Sequence, residues 1–309
     1  MNKELRASID IGSNSVLLLI ADVTNNKLHE ILKKSHITSL GKDLDKTKVF
    51  HSESMIATFE AIKEYAEECD KHNIPRENII ATATEASRVA QNAPDFFAKI
   101  KNDLRVNVLA ITSQAEAYFS TKGILFNSNF DSDVITIMDI GGASTELIKV
   151  NTKNFNILET ISMPIGAVRA SQWLEDGLFV QNLQKTFLDF RNEIDKFQSK
   201  NLYCVAGTVT SLGNMHLQNK EFIEDDVHGL VIKAEDIDNL FKKYSEHQPE
   251  QFLDLFPFLQ KRSNSIRGGL HLVYHIVHRL LVKEVTISTY GLRYGTILEG
   301  KIKKEFVHV

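Results

Sequence analysis

The 309-residue sequence holds only two cysteines, Cys69 and Cys204. They are too few and too far apart for a disulfide framework or a thiolate metal site, which fits a reducing compartment and makes both expected buried hydrophobes. Long apolar runs are also lacking. The longest, Val16 to Ala21, falls far short of the roughly 20 residues a membrane-spanning helix needs, and no basic-then-apolar leader precedes it. Neither insertion nor secretion is expected. There is no surplus of positive charge: 36 Lys and Arg stand against 40 Asp and Glu, for a net charge of −4. No global field recruits nucleic acid or an anionic membrane, so any polyanion must be held by local donors. Low-complexity linkers and short tandem repeats are absent as well.

What is present is enough apolar content, 43% of the chain, to bury two cores. Residues 5–11 and 16–23 read as β-branched strands joined by a Gly/Asn/Ser turn, with a third strand at 28–33. Ile56, Phe59, Ile62, Ala66 and Cys69 recur at three- and four-residue steps, predicting an amphipathic helix over 54–69 that Pro75 helps to end. A strand at 78–83, helices through Ala90 and from Pro94, a strand at 107–111 and a helix from Ser113 toward Phe126 follow. At Asp133 the pattern restarts. Strands at 134–140, 145–150 and 155–163 precede helices at 167–174 and 180–197 and a strand at 202–206. A helix after Gly207, a segment at 227–232, helices at 234–244 and 264–281 and a strand at 285–288 complete an α/β alternation. The expected domains are 1–126, completed by the C-terminal segment 297–309, and 127–296.

The restart is a long-range repeat of a turn. DIGSNS from Asp10 and DIGGAS from Asp139 each place Asp-Ile-Gly at the end of an apolar strand, followed by small residues and another strand, about one domain length apart. Turns of Gly and Ser can aim successive backbone N–H groups into one concavity and let a phosphate approach closely. The candidates are Gly12, Ser13, Asn14 and Ser15 in the first turn, and Gly141, Gly142, Ala143, Ser144 and Thr145 in the second. The Asp beside each turn suits a divalent cation, because a hard metal takes carboxylate and phosphate oxygens together. A third small-residue turn, VAGTVTSLG from Val205, places Gly207 and Thr208 where a helix N-terminus favours an anion. Its plainer reading is a strand-to-helix connection capped by Thr208.

With these turns in place, the sequence resembles the exopolyphosphatase and guanosine pentaphosphate phosphohydrolase (Ppx/GppA) family, in its short two-domain form. DIGSNS, ATEASRVAQN from Ala83, ITSQAEA ending at Ala117, DIGGASTE, PIGAVR ending at Arg169, AGTVTSL from Ala206 and YGLRYG from Tyr290 occur in family order. The resemblance implies a two-domain actin-like ATPase (ribonuclease H-like) fold with an interdomain cleft. It implies Glu116 as general base, Mg2+ or another divalent cation at Asp139 and Glu146 with Asp10 as a further candidate, and phosphate contacts from Arg88 and, in the second domain, Arg262 and Arg293. The implied substrate is inorganic polyphosphate or a guanosine polyphosphate. Conversion of pppGpp to ppGpp stays open, as does a non-catalytic sensor, and so does a homodimer; a cytoplasmic location is expected.

Several positions depart from the family pattern. Ala143 replaces a usual Gly, Leu17 and Ser39 stand where many members have Arg, Gln114 and Ala115 where many have acids, and Asn264 replaces a frequent Asp. His271, His275 and His278 share one predicted helix face, but without an HExxH-type signature they read as a polar stripe or domain-contact face rather than a zinc site. Lys42, Lys46 and Lys48 read as a solvated loop.

Overall fold

The computed structural model describes residues 4–25, 27–126, 128, 130 and 132–308. The chain divides into two compact units, Met1–Phe126 with Tyr290–Val309, and Asn127–Thr289. The expected boundary residue Asn127, and residues 1–3 and 309 of the expected first domain, lie outside the described residues.

In the first unit the strands are β1 Leu5–Ile11, β2 Ser15–Thr24, β3 Lys27–Ile37, β4 Ile80–Ala83 and β5 Val108–Ala110, in sheet order β3-β2-β1-β4-β5. β1 runs antiparallel to β2 and parallel to β4, so the hairpin between β1 and β2 opens beside the C-terminal end of β4. Ala7, Ile9 and Ile11 alternate onto one face with Ile62, Tyr65 and Ala66 of the helix Ser52–Lys71. Each fully buried large apolar side chain contributes about 1.5–3 kcal/mol. Tyr65 also donates its hydroxyl to the Val16 carbonyl at 2.9 Å, tying that helix to the start of β2.

The second unit repeats the plan. β6 Val134–Ile140, β7 Thr145–Asn151, β8 Asn156–Met163, β9 Asn201–Val205, β10 Val231–Lys233 and β11 Glu284–Ile287 lie in the order β10-β11-β9-β6-β7-β8. Again the strand ending in Asp-Ile pairs antiparallel with the next strand and parallel with one that leads into a helix. Gly268 and Gly269 of the helix Ser263–Arg279 sit where a Cβ would overlap Ser171, Ala167 and Thr208. Two helices are thereby held close to the second turn.

The structure differs from the sequence expectations in places. Residues 290–296, expected with the second domain, group with the first unit, because the helix Leu292–Glu299 crosses Ser113–Leu125 so closely that Gly295 lies on the Phe119 carbonyl and Gly123 on that of Gly291. The third strand runs on to Ile37, since Lys34 reaches Glu64 and Glu68 at 2.7 Å from each. The segment 227–232 is the end of a short helix, Glu224–Val227, then Gly229 at φ 80°, then β10. The helix expected over 180–197 breaks at Phe190. Among the described residues no helix is long and apolar enough to cross a membrane.

Candidate active site

Both hairpin loops close in the same way. Gly12 N–H donates to the Ser15 carbonyl at 2.9 Å, and Gly141 N–H donates to the Ser144 carbonyl at 3.0 Å. The next carbonyls in each loop are pulled away from the loop mouth. In the first turn, Asn14 O accepts from Thr38 and Ser39 N–H and Ser13 O from Gly41 N–H; in the second, Gly141 O accepts from Ala167 and Gly142 O from Val168 and Arg169. The amides of Ser13, Asn14, Gly142 and Ala143 donate to no described residue. A loop with its carbonyls tied back and its N–H groups unspent is an oxyanion nest.

The strand register decides which side chains stand beside each nest. Asp10 faces Leu17 across β1 and β2, whereas Asp139 faces Glu146 across β6 and β7. Directly opposed residues of an antiparallel pair project from one face, so Asp139 and Glu146 form a like-charge pair, an arrangement that costs stability unless a cation shares it. Glu146 is buried, and its Oε1 accepts from Ser162 Oγ of β8 at 2.7 Å. Among the described residues no group of three or more His, Cys, Asp or Glu gathers as a closed metal cage. Two carboxylates beside an oxyanion nest are the donor set an Mg2+ ion takes when phosphate oxygens complete its shell.

At the third turn the helix Ala206–His216 starts at Ala206 rather than after Gly207, so Thr208 lies inside the first turn and does not cap it. No side chain caps this helix, and its first N–H groups carry its positive end. Ala206 has φ 75°, a strained value for a residue with a Cβ, and one of the kind that concentrates at functional sites. Gly207 is required here: the Arg262 guanidinium occupies the space its side chain would take. Arg262 keeps some accessible surface as a residue, yet its guanidinium is enclosed, and burial alone pushes its pKa down to about 10. A buried cation beside an uncapped helix N-terminus is a strong attractor for an anion.

In the first unit, Glu116 is buried in the first turn of the helix Ser113–Leu125, whose N-cap Thr112 accepts from Ala115 N–H at 3.2 Å. Arg88 donates to Glu116 Oε2 from both terminal nitrogens, at 3.1 and 3.2 Å, and to the Ile111 carbonyl at 2.7 Å. Arg88 therefore holds the carboxylate in one orientation. Its guanidinium is committed to Glu116 and Ile111.

A family model described as the Ppx/GppA phosphatase family matches residues 19–304. The chain belongs to the Ppx/GppA phosphatase family. It is 31% identical to a bifunctional 3-dehydroquinate synthase/phosphatase of Fusobacterium nucleatum, over 97% of this chain and 47% of that protein, so it spans about half of that relative. It is 24% identical to exopolyphosphatase 2 of Mycobacterium tuberculosis, over 94% of this chain and 97% of that one. The crystal structure of the Aquifex aeolicus Ppx/GppA family member matches with a TM-score of 0.77 at 27% identity, covering 96% of this chain and 97% of that one. The fold is the actin-like ATPase fold.

Within this Ppx/GppA chain, the expectations for Thr145 and Arg293 change, and the departures at Ala143 and Ser39 gain a structural account. Thr145 gives its hydroxyl to the Ile165 carbonyl at 2.6 Å and is fully buried, so it braces the second turn and has no proton left for phosphate. Ala143 is buried with φ outside the left-handed region, so the turn accepts a residue with a Cβ at this position without backbone strain. Arg293, expected in the second domain, lies in the first unit with its guanidinium 5.6 Å from the Tyr294 ring. Ser39, where many relatives have Arg, sits at φ 52° and accepts from Ser54 Oγ at 2.9 Å, serving the first turn as a backbone latch. The histidine stripe packs: His271 meets Phe179 and Phe241 edge-on, and His278 pairs with Asp238 at 2.7 Å. Sequence reasoning missed Ser162 and Arg169 as site residues. Only the PIGAVR motif signalled Arg169.

Proposed function

We propose that this chain is an exopolyphosphatase that hydrolyses the terminal phosphoanhydride bond of inorganic polyphosphate. The observation that carries the reading is the pair of identically closed turns with unspent amides, one in each unit, and with them the enclosed Arg262 at the third turn. These groups hold phosphate oxygens. Glu116, oriented by Arg88, accepts a proton as water attacks the terminal phosphorus in line; the P–O bond to the bridging oxygen breaks, releasing orthophosphate and a chain one phosphate shorter. Asp139 and Glu146 are the residues that would hold a magnesium-type ion, which when bound supplies neutralisation of phosphate charge. Exopolyphosphatase 2, matched along nearly its whole length, favours polyphosphate as the substrate. Two unpaired, buried cysteines support a cytoplasmic setting.

The test is orthophosphate release from polyphosphate and from pppGpp, with Mg2+, Mn2+ or chelator, by the natural chain and Glu116→Gln. Loss of the general base is expected to slow polyphosphate hydrolysis by about 10²–10⁴-fold. Faster turnover of pppGpp replaces the reading with a guanosine pentaphosphate phosphohydrolase. Tight binding of either without turnover replaces it with a sensor, and an unaffected Glu116→Gln removes that residue from the mechanism.

A further inference from the structure

We infer that Arg169 is a positioning residue of the second turn: its side chain fixes the peptide between Ala143 and Ser144, and so aims the Ser144 amide, without touching substrate. This rests on the reading of that turn as a phosphate nest. Arg169 sits in the first turn of the helix Ala167–Glu175, directly after the segment that follows β8. One of its terminal nitrogens, Nη1, donates both to the carbonyl of Ala143 and, at 2.7 Å, to that of Pro164.

The first contact decides the geometry of the loop. Gly141 O and Gly142 O are held by backbone N–H groups of the same helix, from Ala167, Val168 and Arg169 itself, and Arg169 Nη1 takes the one remaining loop carbonyl before Ser144. All three carbonyls thus point toward the helix. A peptide plane is rigid, so fixing the carbonyl of one residue fixes the N–H of the next on the opposite side. Holding Ala143 O sets Ser144 N–H, while Gly141 O and Gly142 O set the amides of Gly142 and Ala143.

The close approach this requires is built in at Gly166, where a Cβ would overlap the backbone of Gly141, Gly142 and Ala143. The first turn does the same work differently, with backbone donors from Thr38, Ser39 and Gly41 and, among the described residues, no side chain on its carbonyls. Arg169 is therefore a device of the second turn alone, and its bonds are charge-assisted, the stronger kind.

Because both bonds leave one nitrogen, a lysine ammonium, with three donors on one atom, can replace much of the function; a guanidinium binding phosphate with its two-pronged fork would not be replaced this way. The experiment compares Arg169→Ala, Arg169→Lys and the natural chain for kcat and KM of orthophosphate release from tripolyphosphate. It also follows the Gly142, Ala143 and Ser144 amide resonances with and without tripolyphosphate, and checks folding by circular dichroism. Arg169→Ala is expected to lower kcat by about a hundredfold, the usual consequence of a misaimed group, with little change in KM. Its Ser144 amide should already be displaced without ligand, and Arg169→Lys should recover at least a tenth of the natural kcat. Natural kinetics and amide positions in a folded Arg169→Ala overturn the inference, and so does a loss in KM alone that Lys does not rescue. If the natural chain's own turn amides ignore tripolyphosphate, the nest reading fails instead. Should Arg169→Ala not fold, Arg169→Lys against the natural chain still decides, since amides unmoved beside a lost kcat would contradict positioning.

Discussion

The turns after Asp10 and after Asp139 share a backbone hydrogen bond, a loop length and a place in their sheets, yet they differ in what surrounds them. The first has a single carboxylate across the strands, with Leu17 opposite Asp10, and is latched by a neighbouring loop. The second is acidic across the strands, with Glu146 opposite Asp139, and is latched by a helix and Arg169. The duplicated backbone is closed alike in both turns, while the side chains beside it differ. Under the proposed function, the first turn takes phosphate alone and the second takes phosphate together with a cation.

Making the second turn resemble the first is the sharpest way to break this contrast. Glu146→Leu copies the Leu17 environment and removes half of the carboxylate pair. Polyphosphate hydrolysis should fall by about a hundredfold or more at fixed Mg2+, with the half-saturating Mg2+ concentration shifted upward, as read by a magnesium titration of orthophosphate release. Unchanged magnesium dependence would mean that the two turns do not differ in the way argued.

A smaller effect is expected at the third turn. Arg262 is enclosed, and burial is the cause of its lowered pKa, so in the ligand-free protein it is a cost. Arg262→Leu should raise the thermal midpoint of the free protein and abolish the further rise that tripolyphosphate gives the natural chain, as scanning calorimetry would show. A lower midpoint together with intact ligand protection would assign Arg262 a purely structural role.

The smallest effect separates the two units by pH. Burial lowers the pKa of His271 and His275 in the second unit, so both prefer to stay neutral when folded. Their folded values lie below the ordinary 6.5, so the stability they lend is complete above pH 6.5 and is lost as pH falls from there through those lowered values. In the first unit, Lys34 holds Glu68 and Arg76 holds Asp70 below the ordinary carboxylate range, and their contribution fades only at more acidic pH. Trp173, the one tryptophan, lies in the second unit and reports on it. Its fluorescence midpoint in urea should drop between pH 7 and 5.5, and the drop should flatten in the His271→Leu, His275→Leu double variant. A slope that survives in that variant would place its origin elsewhere.

The legible part of the molecule was the part written in short-range pattern. Alternation in β1 and β2, the three-and-four spacing of Ile62, Ala66 and Cys69, and the Asp-Ile-Gly repeats all act over a few residues, and the sheets follow them. What could not be read depends on contacts distant in sequence. Residues 290–296 join the first unit because Gly295 fits against Phe119, a pairing no local pattern encodes. Thr145 looked like a phosphate ligand by position, but its hydroxyl is taken by Ile165. Arg169 was marked only by its place in the PIGAVR motif, since nothing local shows that two carbonyls wait for it. Gly229, by contrast, did carry a turn signal inside the segment 227–232, and its positive φ is why that segment is not one strand.

The most direct measurement is a titration of the backbone amide resonances of Ser13, Asn14, Gly142 and Ala143 with inorganic tripolyphosphate in Mg2+. Both turns are predicted to respond, with all four signals moving as the anion is added. Silence at either pair, while the chain remains folded, would contradict the claim that the duplicated turns are both phosphate-binding elements.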